Sequence, residues 1–175
     1  FVGSRSIPGG YGLSPYSFII KNTRDGNFKP IVKSRLGMVT DAKWGNIDED
    51  PEYELIVSGD WAPVVVIDEN EEGKFQASPL TGGEDYYGLW NSIELADLNN
   101  DGKLDILAGN TGKNFKWQPT IESPVYLYVD DFDENEQSDP IIFYDFFGTY
   151  RPFTTKDNLG SQMPMIKKRF NKYKD

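Results

Sequence analysis

The chain contains no cysteine and no histidine. The first absence removes disulfides, thiol nucleophiles and thiolate metal sites, and the second removes the commonest general base and transition-metal ligand. Zinc chemistry is thereby excluded. Positive charge is also scarce: 18 Lys and Arg stand against 28 Asp and Glu, for a net charge of −10. Nucleic-acid affinity comes from Lys and Arg displacing counterions from the polymer, so the balance speaks against a nucleic-acid partner. No apolar run approaches the roughly 18 residues of a membrane span, and no segment reads as a secretory leader. The chain opens on Phe1 rather than Met and reads as an excised piece, silent about its own targeting. No Gly-x-Ser-x-Gly elbow and no phosphate-cradling glycine loop is present. What remains is 175 residues, enough for one domain with a sizeable core, with 17 Gly, 11 Pro and 14% aromatic residues in the manner of a strand-and-turn protein.

The most informative segment is Asp97-Leu98-Asn99-Asn100-Asp101-Gly102-Lys103-Leu104-Asp105. Oxygen-bearing side chains fall at its first, third, fifth and ninth positions, with Gly at the sixth, which is what a hard cation such as calcium requires. An EF-hand would need a bidentate Glu at the twelfth position and helices on both sides. Here Ala108 holds that position, and the flanking Ile93-Glu94-Leu95-Ala96 and Ile106-Leu107-Ala108 read as strands. Two further segments follow the same pattern, Asn46-Ile47-Asp48-Glu49-Asp50-Pro51-Glu52-Tyr53-Glu54 and Asp131-Phe132-Asp133-Glu134-Asn135-Glu136-Gln137-Ser138-Asp139. Each has three carboxylates and one Asn at the four ligand positions, and each runs into an apolar strand: Leu55-Ile56-Val57, Ile106-Leu107-Ala108 or Ile141-Ile142-Phe143. Acidic turns without an ion would share the composition, since Asp, Asn and Gly are ordinary turn residues. Three copies that each feed a strand favour cation loops. Only the middle loop keeps Gly at the sixth position, where a left-handed turn costs no Cβ clash, so the spacing predicts the tightest binding there.

A second self-similarity joins Ser17-Phe18-Ile19-Ile20 and Asp25-Gly26-Asn27-Phe28 to Val64-Val65-Val66-Ile67 and Glu72-Gly73-Lys74-Phe75. Both pairs read as strand, glycine turn, strand. Combined with the loops, they give a unit of four strands in roughly 40 to 50 residues, the size of a propeller blade. Continuously apolar strands such as Val64 to Ile67 are then expected to be covered on both faces.

The stretch Asp97 to Gly109 resembles the calcium-loop core of FG-GAP/VCBS repeats, the blades of integrin α-subunit propellers. Phe1-Val2-Gly3-Ser4-Arg5-Ser6-Ile7-Pro8-Gly9-Gly10-Tyr11 and Arg151-Pro152-Phe153-Thr154-Thr155-Lys156-Asp157 are similar to bacterial proteins of the ASPIC/UnbV and cartilage acidic protein group. The resemblance implies an all-β fold: a partial β-propeller of four-stranded antiparallel blades over residues 1–154, with a basic helical segment over 155–175. It implies calcium as the cofactor, held by four side chains and a seventh-position backbone carbonyl in each loop. The implied ligands are Asp97, Asn99, Asp101, the Lys103 carbonyl and Asp105; Asn46, Asp48, Asp50, the Glu52 carbonyl and Glu54; and Asp131, Asp133, Asn135, the Gln137 carbonyl and Asp139. Asn46, Glu54 and the sixth-position Pro51 and Glu136 depart from the family pattern. Phe1-Val2-Gly3 aligns with Leu107-Ala108-Gly109, which places a further loop upstream and leaves two nearly complete blades with parts of others. Unpaired strand edges of such a stack could self-associate.

Residues 164–175 hold Lys167, Lys168, Arg169, Lys172 and Lys174 against Asp175 alone. Ile166, Phe170 and Tyr173 share a helical face, and Pro164 suits a first turn, so the pattern predicts one short amphipathic helix. The stretch Asp85-Tyr86-Tyr87-Gly88-Leu89-Trp90-Asn91, with Trp61 and Trp117, reads either as a ligand-binding surface or as inter-blade packing. The expected function is a non-catalytic, extracellular or cell-surface bacterial module that binds calcium and a protein or glycan. The alternative is an accessory or catalytic part of a polysaccharide-degrading enzyme, whose acid pair the sequence does not single out.

Overall fold

The computed structural model describes residues 1–48, 50–80, 82, 86–112, 115–170 and 172. The elements in chain order are β1 (Tyr16–Asn22), β2 (Phe28–Arg35), β3 (Met38–Gly45), β4 (Glu54–Ala62), β5 (Val65–Glu69), β6 (Phe75–Pro79), β7 (Gly88–Ala96), β8 (Asp105–Asn110), β9 (Tyr126–Asp130), β10 (Asp139–Asp145), β11 (Tyr150–Pro152), α1 (Lys156–Gln162) and α2 (Pro164–Arg169). Every strand pairing between these elements is antiparallel. The fold is therefore all-β, as the resemblance implied, with two short C-terminal helices where one was expected, and no sheet among the described residues closes on itself. None of the described helices is long and apolar enough to cross a membrane.

The chain divides into two compact units, one of Phe1–Arg5 with Ser14–Thr111 and one of Ser6–Leu13 with Gly112–Asp175. In the first, β3 to β6 form a four-stranded meander, the size and order of one blade. Its second strand, β4, is the apolar axis. Leu55 and Val57 point into a cluster with Ile19, Val39 and Ile67, while Ile56 points the opposite way into a cluster with Val64 and Ile93. Successive strand side chains alternate between faces, so a strand covered on both sides must be apolar at every position. That explains Leu55-Ile56-Val57, each at most 1% exposed. Burying each such side chain contributes about 1.5–3 kcal/mol. The strand at Val64 to Ile67 is less completely covered: Val64 and Ile67 are buried, Val65 and Val66 only half-buried.

The β1–β2 hairpin turns through Thr23 to Asn27, with Gly26 at φ 85 and Asp25 accepting from both Thr23 and Asn27. Those bonds pull the Asp25 carboxyl down to about 2. Val2 pairs with Phe18 through an isolated bridge on the other edge of β1. β7 and β8 form a pair joined to the end of β4 through Asp60↔Leu89 and Ala62↔Gly88, around a bulge at Trp61 with φ 59. On β3, Thr40 Oγ1 donates to the Trp90 carbonyl at 2.5 Å and Asp41 Oδ2 accepts from Ile93 N–H at 2.9 Å. Arg5 pairs with the buried Asp60 at 2.9 Å.

In the second unit β9, β10 and β11 form a three-stranded meander. The C-terminal segment departs from the single helix expected over Ile166, Phe170 and Tyr173. Thr155 caps a first helix, α1, and Met163 separates it from α2, whose Pro164 does sit in the first turn. A residue before proline is pushed out of the helical region, and Met163 accordingly lies at φ −122, ψ 93. The buried anchors are Leu159 and Met163; α2 buries nothing and ends at Arg169, with Phe170 as its cap. Tyr173 lies outside the described residues.

Candidate metal centres

The three acidic loops connect β3 to β4, β7 to β8 and β9 to β10. They share a scaffold of side-chain to backbone hydrogen bonds. The ninth-position carboxylate reaches back to the second-position amide: Ile47 N–H donates to Glu54 Oε2 at 2.6 Å, Leu98 N–H to Asp105 Oδ2 at 2.9 Å and Phe132 N–H to Asp139 Oδ2 at 3.2 Å. The fifth-position side chain accepts from the seventh-position amide: Glu52 to Asp50 at 2.9 Å, Lys103 to Asp101 at 2.9 Å and Gln137 to Asn135 at 2.8 Å. These bonds engage one oxygen of each fifth- and ninth-position side chain, and a carboxylate or amide oxygen so engaged retains further acceptor capacity.

The first position shows how the loops differ. Asp97 accepts from Asp101 N–H at 3.1 Å and from Gly102 N–H at 2.9 Å. Asp131 accepts in the same way from Asn135 and Glu136, at 2.9 and 2.8 Å. Both loops turn through left-handed residues at the fourth and sixth positions, Asn100 and Gly102 in one, Glu134 and Glu136 in the other. For Glu134 and Glu136 that turn carries a Cβ clash of about 1–2 kcal/mol per residue, which Gly102 avoids. In the first loop Pro51 has a fixed negative φ and no N–H to donate. Asn46 stands where the others have Asp, and its Nδ2 donates to the Asp50 carbonyl. An acid at the first position would have found no sixth-position amide, so the Asn–Pro combination is a self-consistent substitute.

Two of the loops bring three carboxylates together. Asp48, Asp50 and Glu54 each place an oxygen within 4.8 Å of the other two, and Asp131, Asp133 and Asp139 do the same. The middle loop forms no such trio among the described residues. Both trios contain the third and ninth positions, and the middle loop has Asn99 at the third. There the amide Nδ2 of Asn99 donates to Asp101 Oδ2 at 3.0 Å, so the loop satisfies its own acid.

The electrostatics follow the same division. Burial first, then the charges of Asp48, Asp50 and Asp68, raise the Glu54 carboxyl above the ordinary range, against the Ile47 amide that lowers it. Burial and then the charges of Asp139 and Asp131 raise Asp133. Asp101 is lowered by the Lys103 amide and the Asn99 side chain. Glu54 is 1% exposed and its Oε1 is buried with no hydrogen-bond partner; Asp133 Oδ1 is likewise buried and unpartnered. A buried carboxylate oxygen without a donor is costly, and a divalent cation is the group that satisfies several at once. An all-oxygen set of carboxylate, amide and backbone carbonyl fits calcium.

Two residues near these centres carry no signal in the loop pattern. Asp68 follows Ile67, the partner of Leu55, and so lies across from Glu54; its Oδ1 is also buried without a partner. Gln162, from α1, donates through Nε2 to Asp139 Oδ1 at 2.7 Å. Neither falls within a nine-residue loop, so only the folded chain reveals them.

The aromatic residues divide between packing and surface. Trp117 is buried and edge-on to Phe115 and Phe153, at 4.9 and 5.0 Å. Trp90 is half-buried and donates through Nε1 to the Tyr86 carbonyl at 3.1 Å, while Tyr86 and Tyr87 are exposed. Asp85 lies outside the described residues.

Comparison with protein families finds an FG-GAP-like repeat over residues 46–108 and an FG-GAP repeat over residues 89–128. The first match begins at the first acidic loop and spans the rest of the four-stranded meander and the middle loop. No curated protein and no solved structure matches the chain. The two matches together span residues 46–128, and the third loop and the two helices lie beyond them.

Proposed function

We propose that this chain is a calcium-binding, non-catalytic interaction module. Each acidic loop holds one ion through the five ligands named for it, and each ion ties the end of one strand to the start of the next. The convergence of Asp48, Asp50 and Glu54 around the unpartnered, buried Glu54 Oε1 carries this reading. The FG-GAP matches support it, because such repeats build propeller-like interaction modules and often bind calcium. The ion's contribution is charge neutralisation and rigidity. Ninth-position carboxylates are fixed by loop amides, which suits a structural ion more than a catalytic one that keeps an exchangeable position.

Three carboxylates per loop suit the millimolar calcium of an extracellular or cell-surface setting, where modules bind with constants on the order of 0.1 to 1 mM. A cysteine-free chain fits a secreted bacterial protein in the ASPIC/UnbV and cartilage acidic protein-like group. The partner is a protein or glycan engaged through loops, with the exposed Tyr86 and Tyr87 as available stacking surface. Thermal melting in EDTA, calcium and magnesium tests the proposal. Calcium should raise the midpoint and magnesium should do so poorly, because magnesium demands tighter octahedral geometry and retains its waters. Identical midpoints in all three would rule it out.

A further inference from the structure

The ninth-position carboxylate of the third loop is held by a residue from outside the loop. Asp139 is 2% exposed, and both its oxygens are engaged: Oδ2 by the loop's own Phe132 amide, Oδ1 by the side chain of Gln162. The corresponding oxygen of the first loop, Glu54 Oε1, has no partner. An ionised carboxylate offers about four lone-pair sites, so two hydrogen bonds leave room for a cation and set the rotamer that would present it. Gln162 is the last residue of α1, and the next residue, Met163, is 1% exposed and caps both helices, its N–H donating to the Leu159 carbonyl at 2.7 Å. Leu159 is buried as well. The amide is therefore delivered by an anchored segment, not by a free tail.

We propose that Gln162 is a positioning residue for the cation of the third loop, and that docking of the α1–α2 segment and calcium occupancy of that loop are one coupled equilibrium. The inference rests on the reading of the loops as calcium sites. Outer-shell donors that orient a ligating group are typically worth about 10- to 100-fold in metal affinity. Coupling between two binding events is reciprocal, so the factor by which a docked helix tightens calcium binding is the factor by which calcium tightens docking. Lys167, Lys168 and Arg169 fall in the last turn of α2, which buries none of its residues, and they supply tryptic sites that report whether the segment is docked.

Two measurements on the whole chain test the coupling. In an Asp48→Ala/Asp101→Ala background that leaves the third loop as the remaining strong site, calorimetric calcium titration should show at least about a tenfold weaker constant when Gln162→Ala is added. In limited trypsin digestion, calcium should slow cleavage at Lys167, Lys168 and Arg169 in the unmodified chain, and Asp133→Ala should abolish that protection. Equal calcium affinity with and without Gln162, or cleavage indifferent to calcium in the unmodified chain, would overturn the inference while leaving the calcium sites standing. Absence of any calcium uptake by the unmodified chain would overturn the site assignment itself. The digestion of the unmodified chain decides the matter even if a variant fails to fold.

Discussion

The middle loop and its two neighbours have the same pattern of ligand types but behave as opposite kinds of turn. Around Asp97 to Asp105 the acids are exposed or half-buried, Asn99 supplies a donor to Asp101, and the Asp101 carboxyl is held below its ordinary range. Around Asp48 to Glu54 and Asp131 to Asp139, three carboxylates converge and one acid in each loop is raised. A single exchange accounts for this: the Asn of the ligand set stands at the third position in the middle loop and at the first or fifth position in the others. The middle loop satisfies its own acid within the turn, whereas each outer loop keeps a buried carboxylate oxygen without a protein donor. Ease of closure and carboxylate convergence are thus separate properties, the first favoured by Gly102 and the second by the acid at the third position.

The largest effect should come from removing that acid. Asp48→Ala and Asp133→Ala are each expected to lower the calcium stoichiometry by one in calorimetry, while Asn99→Ala leaves the count unchanged and only weakens the middle site. At calcium about tenfold above the dissociation constant, loss of the first-loop site should reduce stability by about 1.4 kcal/mol. If all three variants behaved alike, the distinction between the loops would be lost.

The next effect is a reversal of pH dependence. Glu54 and Asp133 have folded-state pKa values raised above their unfolded ones, so without calcium the folded chain binds more protons than the unfolded chain between those values. Their contribution is fully present below the ordinary carboxylate range and is lost as pH rises through the raised values. Urea titrations in EDTA should therefore show these two loops losing stability with rising pH across that window. With calcium the ionised forms are the binding forms, and stability should rise with pH instead. Glu54→Gln should flatten the EDTA profile; an unchanged profile would contradict the burial of an unsatisfied acid there.

Smaller, and opposite in sign between regions, are the effects of neutralising substitutions in EDTA. Glu54→Gln should raise the calcium-free midpoint by removing repulsion with Asp48, Asp50 and Asp68. Asp101→Asn should lower it by weakening the acceptor that holds the Lys103 amide and the Asn99 side chain. In calcium, Asp101→Ala should nonetheless weaken binding more than Asp50→Ala or Asn135→Ala, because the glycine-closed loop has the least strain to recover on release. The smallest change expected is a gain: Asn99→Asp should tighten the middle site and import the calcium-free instability of its neighbours.

Much of the fold and of the candidate sites was legible in the residues themselves, because oxygen ligands at alternate positions point to a cation loop and strands without polar interruptions point to burial on both faces. The two-faced burial expected of Val64 to Ile67 holds for Val64 and Ile67 but only half for Val65 and Val66, and it is Leu55-Ile56-Val57, read only as an apolar strand after a loop, that is covered throughout. The third-position effect was not legible, since Asp and Asn both count as oxygen ligands in a pattern and differ only when a neighbouring acid needs a donor. The restriction that Pro164 places on Met163 was visible in principle, but the apolar spacing of Ile166, Phe170 and Tyr173 suggested one helix and drew attention from Leu159 and Met163. Gln162 had no local signal at all, because its partner Asp139 lies in another element and is met only through folding.

The most direct test of the proposed calcium sites is a crystal structure of the chain grown in millimolar calcium. An ion is expected in the first and third loops, bound at about 2.3–2.6 Å by Asp48, Asp50 and Glu54 in one and by Asp131, Asp133 and Asp139 in the other, with their named partners completing each shell. Loops that remain ion-free in that crystal, with Glu54 Oε1 and Asp133 Oδ1 taken up by protein donors or water, would contradict the assignment.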